Sequence, residues 1–215
     1  MDIVDPRAEG YMRGLLDRHD HPVLLEMEDM GAELGFPIVG RTVGVLLELL
    51  ARSVGARRVL ELGSGFGYSA YWFARAVGSA GEVHCTDGDP RNAVKAEDFL
   101  GRADLWSRVT FHVGDALEGL TALPGEFDVI YDDIDKDGYP AAWLAARDRI
   151  RVGGLYLCDN VLWSGRAFGV NIDDDYDRTT GEAVAEHNRL ITGDERYVSN
   201  IVPTRDGVMV ALRIA

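Results

Sequence analysis

The sequence predicts an α/β fold: a mostly parallel sheet with helices on both faces and an antiparallel hairpin at one edge. Three observations carry this. From Arg57 onward, short apolar runs alternate with stretches of helical spacing, the texture of repeated βαβ units. The first run, Val59-Leu60-Glu61-Leu62, passes directly into a glycine-rich turn. The last two runs, Tyr197 to Val202 and Gly207 to Ile214, are joined only by Pro203-Thr204-Arg205-Asp206, which reads as a hairpin.

The elements follow in order. Before Arg57, Tyr11, Leu15, Leu16, then Leu24, Leu25, Met27, Met30, then Val43, Leu46, Leu47 and Leu50 recur at near-helical spacing, which predicts helices. Gly35-Phe36-Pro37-Ile38 separates the last two. Arg58 to Leu62 is the first strand, followed by a helix through Tyr71, Trp72, Ala74 and Val77. Glu82 to Thr86 is the second, and Pro90 opens a helix reaching about Gly101, a proline in the first turn being a normal start. Val109 to Val113 is the third. Phe127 to Tyr131 is the fourth, with a helix expected through Trp143 and Ile150. Leu155 to Cys158 is the fifth, and a helix near Glu182 to Ile191 leads to the hairpin. This makes one domain over residues 1–215, with a helical cap over 1–55 and the sheet and its helices over 56–215.

Composition narrows the partners. The chain has 215 residues, 22 basic against 36 acidic, and a net charge of −14. Such a balance argues against a nucleic-acid backbone, whose binders need basic stripes. No apolar run approaches the roughly 18 residues of a membrane span. Met1-Asp2-Ile3-Val4-Asp5-Pro6 lacks the basic-then-apolar build of a signal peptide, so a cytoplasmic location is expected. Cys85 and Cys158 lie in predicted strands and are expected as reduced core thiols. The five histidines form no constellation in the sequence and none is assigned a catalytic role. The acidic excess fits either an arginine-rich genome or adaptation to high salt. Only two of the 22 basic residues are lysines, Lys95 and Lys136, which raises the question of why Lys136 is kept.

Gly63-Ser64-Gly65-Phe66-Gly67-Tyr68 is spaced Gly-x-Gly-x-Gly. The dinucleotide fingerprint wants its third glycine where Tyr68 stands, so a nicotinamide enzyme is disfavoured. Asp87 closes the second strand, where a carboxylate can accept both hydroxyls of a ribose. Asp115 follows the third, within reach of a purine edge, and open α/β sheets bind ligands at these carboxyl ends. Asp132-Asp133-Ile134-Asp135-Lys136-Asp137 follows the fourth strand and Asp159-Asn160 the fifth. Aspartate and asparagine oxygens without histidine or cysteine beside them suit Mg²⁺ or Ca²⁺ and not zinc. A lysine near such a cation is pushed toward its neutral form and can accept a proton.

At these residues the chain resembles the cation-dependent class I O-methyltransferases, the group holding catechol and caffeoyl-CoA O-methyltransferases and their small prokaryotic relatives. The likeness runs from about Phe36 to the C-terminus. It rests on the Glu-Leu-Gly-x-x-x-Gly-Tyr-Ser turn at Glu61 to Ser69, the Asp-x-Asp-Lys-x-x-Tyr run at Asp133 to Tyr139, and Asp159-Asn160-x-Leu-Trp-x-Gly-Arg ending at Arg166. The resemblance implies a Rossmann-like methyltransferase fold with seven strands, and S-adenosylmethionine as methyl donor. It assigns the donor to Glu61, Gly63, Ser64, Gly65, Gly67, Tyr68, Ser69, Asp87, Asp115, Ala116 and Asp133. It puts the metal (Mg²⁺, or Ca²⁺ or Mn²⁺) on Asp133, Asp159 and Asn160, and the general base on Lys136. It further implies a homodimer whose N-terminal helices help cover the site of a small phenolic acceptor. For such an aromatic acceptor, Trp163 or Tyr139 is a candidate wall, with plain packing as the alternative for each. Asp132 stands where the family has a small or apolar residue, which makes it a candidate ligand or a group behind the ligands. Phe66 replaces a more polar or small residue, and no basic cluster is present to grip the phosphates of a CoA ester. A methyltransferase with a non-catechol acceptor, or a non-catalytic protein that binds the same ligands, are the competing readings.

Overall fold

The computed structural model describes residues 6–215; the reading of residues 1–5 as no signal peptide lies outside them. Three helices come first: α1 (Pro6–Gly14), α2 (Pro22–Leu34) and α3 (Gly40–Ser53). His21 caps α2 by accepting from the Val23 amide, and Pro22 occupies its first turn. At the other end Gly35 takes the left-handed conformation (φ 60°) that terminates helices.

The sheet follows as β1 (Arg58–Leu62), β2 (Glu82–Asp87), β3 (Val109–Val113), β4 (Phe127–Asp132), β5 (Ile150–Cys158), β6 (Tyr197–Val202) and β7 (Val208–Arg213). Its spatial order is β3-β2-β1-β4-β5-β7-β6. The first five strands pair in parallel, while β7 runs antiparallel to both β5 and β6. The expected hairpin is therefore present, with β7 inserted beside β5 and β6 at the edge. Strand order reverses between β1 and β4, the place where an open sheet parts its connections and leaves a crevice.

The crossovers are α4 (Tyr68–Val77), α5 (Pro90–Arg102), α6 (Ala116–Ala122), α7 (Tyr139–Ala146) and α8 (Asp175–Thr192). They divide the core in two. On one face Val59, Val83, Cys85, Val129, Tyr131 and Leu157 pack with α3, α4 and α5. On the other, Leu60, Leu62, Ile130, Tyr156 and Cys158 pack with α7 and α8. Adjacent strand residues fall in opposite clusters, as the period of two requires. The helices of residues 6–55 form no separate core, since Leu24, Met27, Val43 and Leu47 belong to the first cluster. Both cysteines are buried and free, and no described helix is long and apolar enough to cross a membrane.

Two expected boundaries are corrected. The helix expected through Ile150 ends at Ala146, and Ile150 begins β5, opposite Phe127. The register then slips before Val129 meets Leu155, and Gly153 with φ 79° lies in that irregular stretch. The helix expected from Glu182 begins at Asp175, where the Asp174 side chain accepts from the Asp177 amide.

Helices α3 and α4 meet closely because Gly44 has no side chain. A Cβ there would lie 2.1 Å from Nε1 of the wholly buried Trp72. Gly44→Ala is therefore expected to destabilise the fold by about 1–3 kcal/mol through overpacking, measurable as a lowered midpoint in urea. An unchanged midpoint would show that the indole can move aside.

Candidate active site

A cleft of about 670 Å³ opens at the carboxyl ends of β1, β2, β4 and β5. Its back is the glycine turn after β1. Gly63 has φ 80°, and a Cβ on it would fall 2.5 Å from the Asp133 carbonyl oxygen, so only glycine fits between the two strand ends. The amides of Gly63 and Ser64 donate to the Thr86 carbonyl at 3.1 and 2.9 Å. Asp87 Oδ2 accepts from the Gly65 amide at 2.9 Å, and its Oδ1 accepts from the Asp89 amide and Asn92 Nδ2. The turn is thus held by its own hydrogen bonds.

The residues expected to hold the donor divide into two groups. Gly63, Ser64, Gly65, Tyr68, Ser69, Asp87, Asp115, Ala116 and Asp133 line the cleft. Glu61 and Gly67 do not. Glu61 is wholly buried beneath the turn and accepts from Ser64 Oγ at 2.5 Å and Cys85 Sγ at 3.5 Å. Burial pushes its carboxyl up to about 7, and Oε1 has no partner. It holds the turn from behind. Gly67, at φ 89°, starts α4. Tyr68 reaches outward: its hydroxyl donates to Glu28 Oε1 at 2.8 Å, and Glu28 also accepts from Arg41 at 3.0 and 3.2 Å. This chain of bonds anchors α2 and α3 to the turn. Asp115 caps α6 by accepting from the amides of Leu117 and Glu118, both at 2.9 Å.

Successive residues at the end of β4 point to opposite sides. Asp132 is fully buried and does not line the cleft; it accepts from the Tyr156 hydroxyl at 2.7 Å, which lies 3.0 Å from His187 Nε2. Of the two places the sequence leaves open for Asp132, its side chain thus takes the one away from the cleft. It also brings His187 beside Asp132 and Cys158 in one buried group. Asp133 faces the cleft, its side chain 22% exposed. Asp159 lies beside it, and both carboxyls are pushed up to about 7, first by the surrounding protein. The Asp133 charge raises Asp159 further, and Asp132 and Glu61 raise Asp133, while Lys136 opposes both shifts. Asp159 Oδ1 is buried without a hydrogen-bond partner. Asn160 follows in the left-handed region at φ 55°. Two carboxylates that repel, one with an orphaned oxygen, and a neighbouring amide fit a hard divalent cation.

Lys136 is nearly buried, at 8% exposure, in the tight turn Lys136–Gly138 that precedes α7. Its Nζ donates to the Tyr139 hydroxyl at 2.6 Å, the Ile134 carbonyl at 3.2 Å and Asp133 Oδ1 at 3.4 Å. The Tyr139 hydroxyl donates onward to the Asp159 carbonyl at 2.8 Å. Tyr139 has no exposed surface, so it orients the amine and does not wall the cleft. Trp163 does line it, its indole tied to Thr180 Oγ1 on α8 at 2.8 Å. Phe36 and Tyr176 line it as well. They arrive from segments far apart in the chain, and no local sequence pattern marks them.

Residues 17–214 match the family model described as O-methyltransferase. A catechol O-methyltransferase of Niastella koreensis is 35% identical over 170 residues, covering 76% of each chain. The O-methyltransferase TomG of Streptomyces achromogenes, solved in complex with S-adenosylmethionine, superposes with a TM-score of 0.82 at 27% identity, covering 91% of each chain. An O-methyltransferase from Bacillus cereus, solved with S-adenosylhomocysteine, gives 0.81 at 27% identity, covering 93% of this chain and 96% of its own. The family model and these likenesses together show that the chain belongs to the O-methyltransferase family, as an S-adenosylmethionine-dependent methyltransferase.

Proposed function

We propose that the protein methylates one hydroxyl of a small catechol-like acceptor and needs a divalent cation to do so. The observation that carries this reading is the unpartnered Asp159 oxygen beside Asp133 and the Lys136–Tyr139 pair. The name of the Niastella relative supports the acceptor class. When bound, the donor supplies a sulfonium methyl, and a cation held by Asp133, Asp159 and Asn160 supplies Lewis acidity that eases ionisation of a phenol.

The chain's own residues do the rest. Gly63, Ser64 and Gly65 let the donor approach the backbone closely, Asp87 accepts from its ribose, and Asp115 with Ala116 borders its base. Lys136 Nζ accepts the proton of the hydroxyl that is methylated. Tyr139 keeps that nitrogen aimed into the cleft. Trp163 flanks a flat acceptor, Phe36 covers the glycine turn at Gly65, and alignment of oxygen, methyl and sulfur is the main contribution of the site.

The test is turnover of a panel of catechols with S-adenosylmethionine and Mg²⁺, with and without a chelator, read by mass spectrometry. Mono-O-methyl products that disappear on chelation and return with Mg²⁺ are expected. Turnover indifferent to complete metal removal would sink the metal role, and products from non-catechol acceptors alone would sink the acceptor class.

A further inference from the structure

We infer that Arg205 forms an anion subsite at the acceptor end of the cleft, and that the acceptor carries a carboxylate besides its hydroxyls. The inference rests on the catechol reading above and extends it. Arg205 lies in the β6–β7 turn at φ 48°, a conformation that glycine adopts freely and arginine does not. The strained residue lines the cleft. Only one of its bonds is internal, from Nη1 to the Ile38 carbonyl at 2.7 Å. Among the described residues no carboxylate lies within ion-pair distance of it. Asp206, its neighbour, is occupied by the Ser164 amide at 2.6 Å.

Position and charge both point to the acceptor. The Val161 and Leu162 amides donate to the Gly207 and Asp206 carbonyls at 3.1 and 2.9 Å, which seats the turn carrying Arg205 beside Asp159 and Asn160 and not at the Asp87–Asp115 end. Six aspartates line the cleft: Asp87, Asp115, Asp133, Asp135, Asp137 and Asp159. Lys136 and Arg205 are its only lysine or arginine, and Lys136 has three acceptors already. A neutral catechol needs no further cation. An anionic one entering so acidic a cleft does, and a guanidinium with four N–H groups to spare presents the fork that a carboxylate fits.

The experiment compares 3,4-dihydroxybenzoate with 3,4-dihydroxybenzyl alcohol, its neutral near-isostere, in the wild type, Arg205→Gln and Arg205→Gly. Glutamine keeps a donor for the Ile38 carbonyl without the charge, and glycine removes the backbone strain. The wild type is expected to favour the benzoate by about tenfold in kcat/KM, carried by KM. Both variants should lose that ratio, and the glycine variant should melt no lower than the wild type. A ratio that survives in both variants would make Arg205 a staple for Ile38 and overturn the inference. So would a loss equal for the two acceptors together with a raised KM for S-adenosylmethionine, since the group gripped would then be the donor's carboxylate. Wild-type turnover of both acceptors without preference overturns the inference but leaves the catechol reading standing. Turnover of neither overturns that reading, and this one with it.

Discussion

Lys136→Met is expected to lower kcat by about 10²–10⁴-fold, the range lost with a general base, while S-adenosylmethionine still binds. The argument is geometric. Nζ lies at the floor of the cleft, held by the Tyr139 hydroxyl, the Ile134 carbonyl and Asp133 Oδ1. Methionine retains most of the apolar stem and removes the nitrogen, so the fold should survive; the Tyr139 hydroxyl keeps its bond to the Asp159 carbonyl. Tyr139→Phe removes the 2.6 Å partner but leaves two others, and a smaller loss in kcat is expected with little change in donor affinity. Steady-state kinetics and calorimetric titration of the donor check both. A Lys136→Met enzyme with undiminished kcat would exclude the lysine as base, whatever its place in a chain with only one other lysine.

Much of this site is legible in the sequence because its signals are local. A glycine turn after an apolar run, an aspartate closing β2 and a lysine between aspartates after β4 are each contained in a few residues. The boundaries of β1, β2 and β3 are legible for the same reason. Orientation is harder to read. In a strand buried on both faces nothing in Val59-Leu60-Glu61-Leu62 says which way Glu61 points, and it points beneath the turn. Asp132 and Asp133 differ only in the phase of β4, yet one meets Tyr156 and the other the cleft. Helix α6 leaves no trace because seven residues with one buried side chain, Leu120, carry little periodicity. Ile150 reads as helical because an apolar residue four beyond Ala146 fits helical spacing as well as a strand start. Phe36, Tyr176 and Arg205 are invisible as site residues, since only tertiary structure brings residues so far apart to one cleft.

Asp159→Asn is expected to abolish cation-dependent turnover while stabilising the cation-free protein above about pH 7. The two effects share one cause. The Asp159 carboxyl is pushed up to about 7 by burial and by the Asp133 charge, whereas an aspartate in the unfolded chain titrates near about 4. Between those values the folded chain binds more protons than the unfolded one, so stability falls as pH rises from about 4 to about 7 and then levels. Asp133, also pushed up to about 7, acts in the same direction. A tenfold change in proton affinity on folding corresponds to about 1.4 kcal/mol, but the two carboxyls interact, and a buried amide without a partner costs about 1–3 kcal/mol. The net gain expected for the variant at pH 8 is therefore about 1–2 kcal/mol, or a few degrees in Tm for a chain of this size, with none at pH 4. Mg²⁺ should raise the wild-type Tm at pH 8, by the equivalent of about 2.7 kcal/mol at a hundredfold excess over Kd. It should leave the variant's Tm nearly unmoved. Thermal unfolding at both pH values, with Mg²⁺ or chelator, reads all of this without turnover. A variant less stable than the wild type at pH 8 would show that Asp159 is held by bonds the structure does not contain. A wild-type Tm indifferent to Mg²⁺ would remove the carboxylate pair as a cation site, and with it the reason for leaving two buried charges to repel each other at the floor of the cleft.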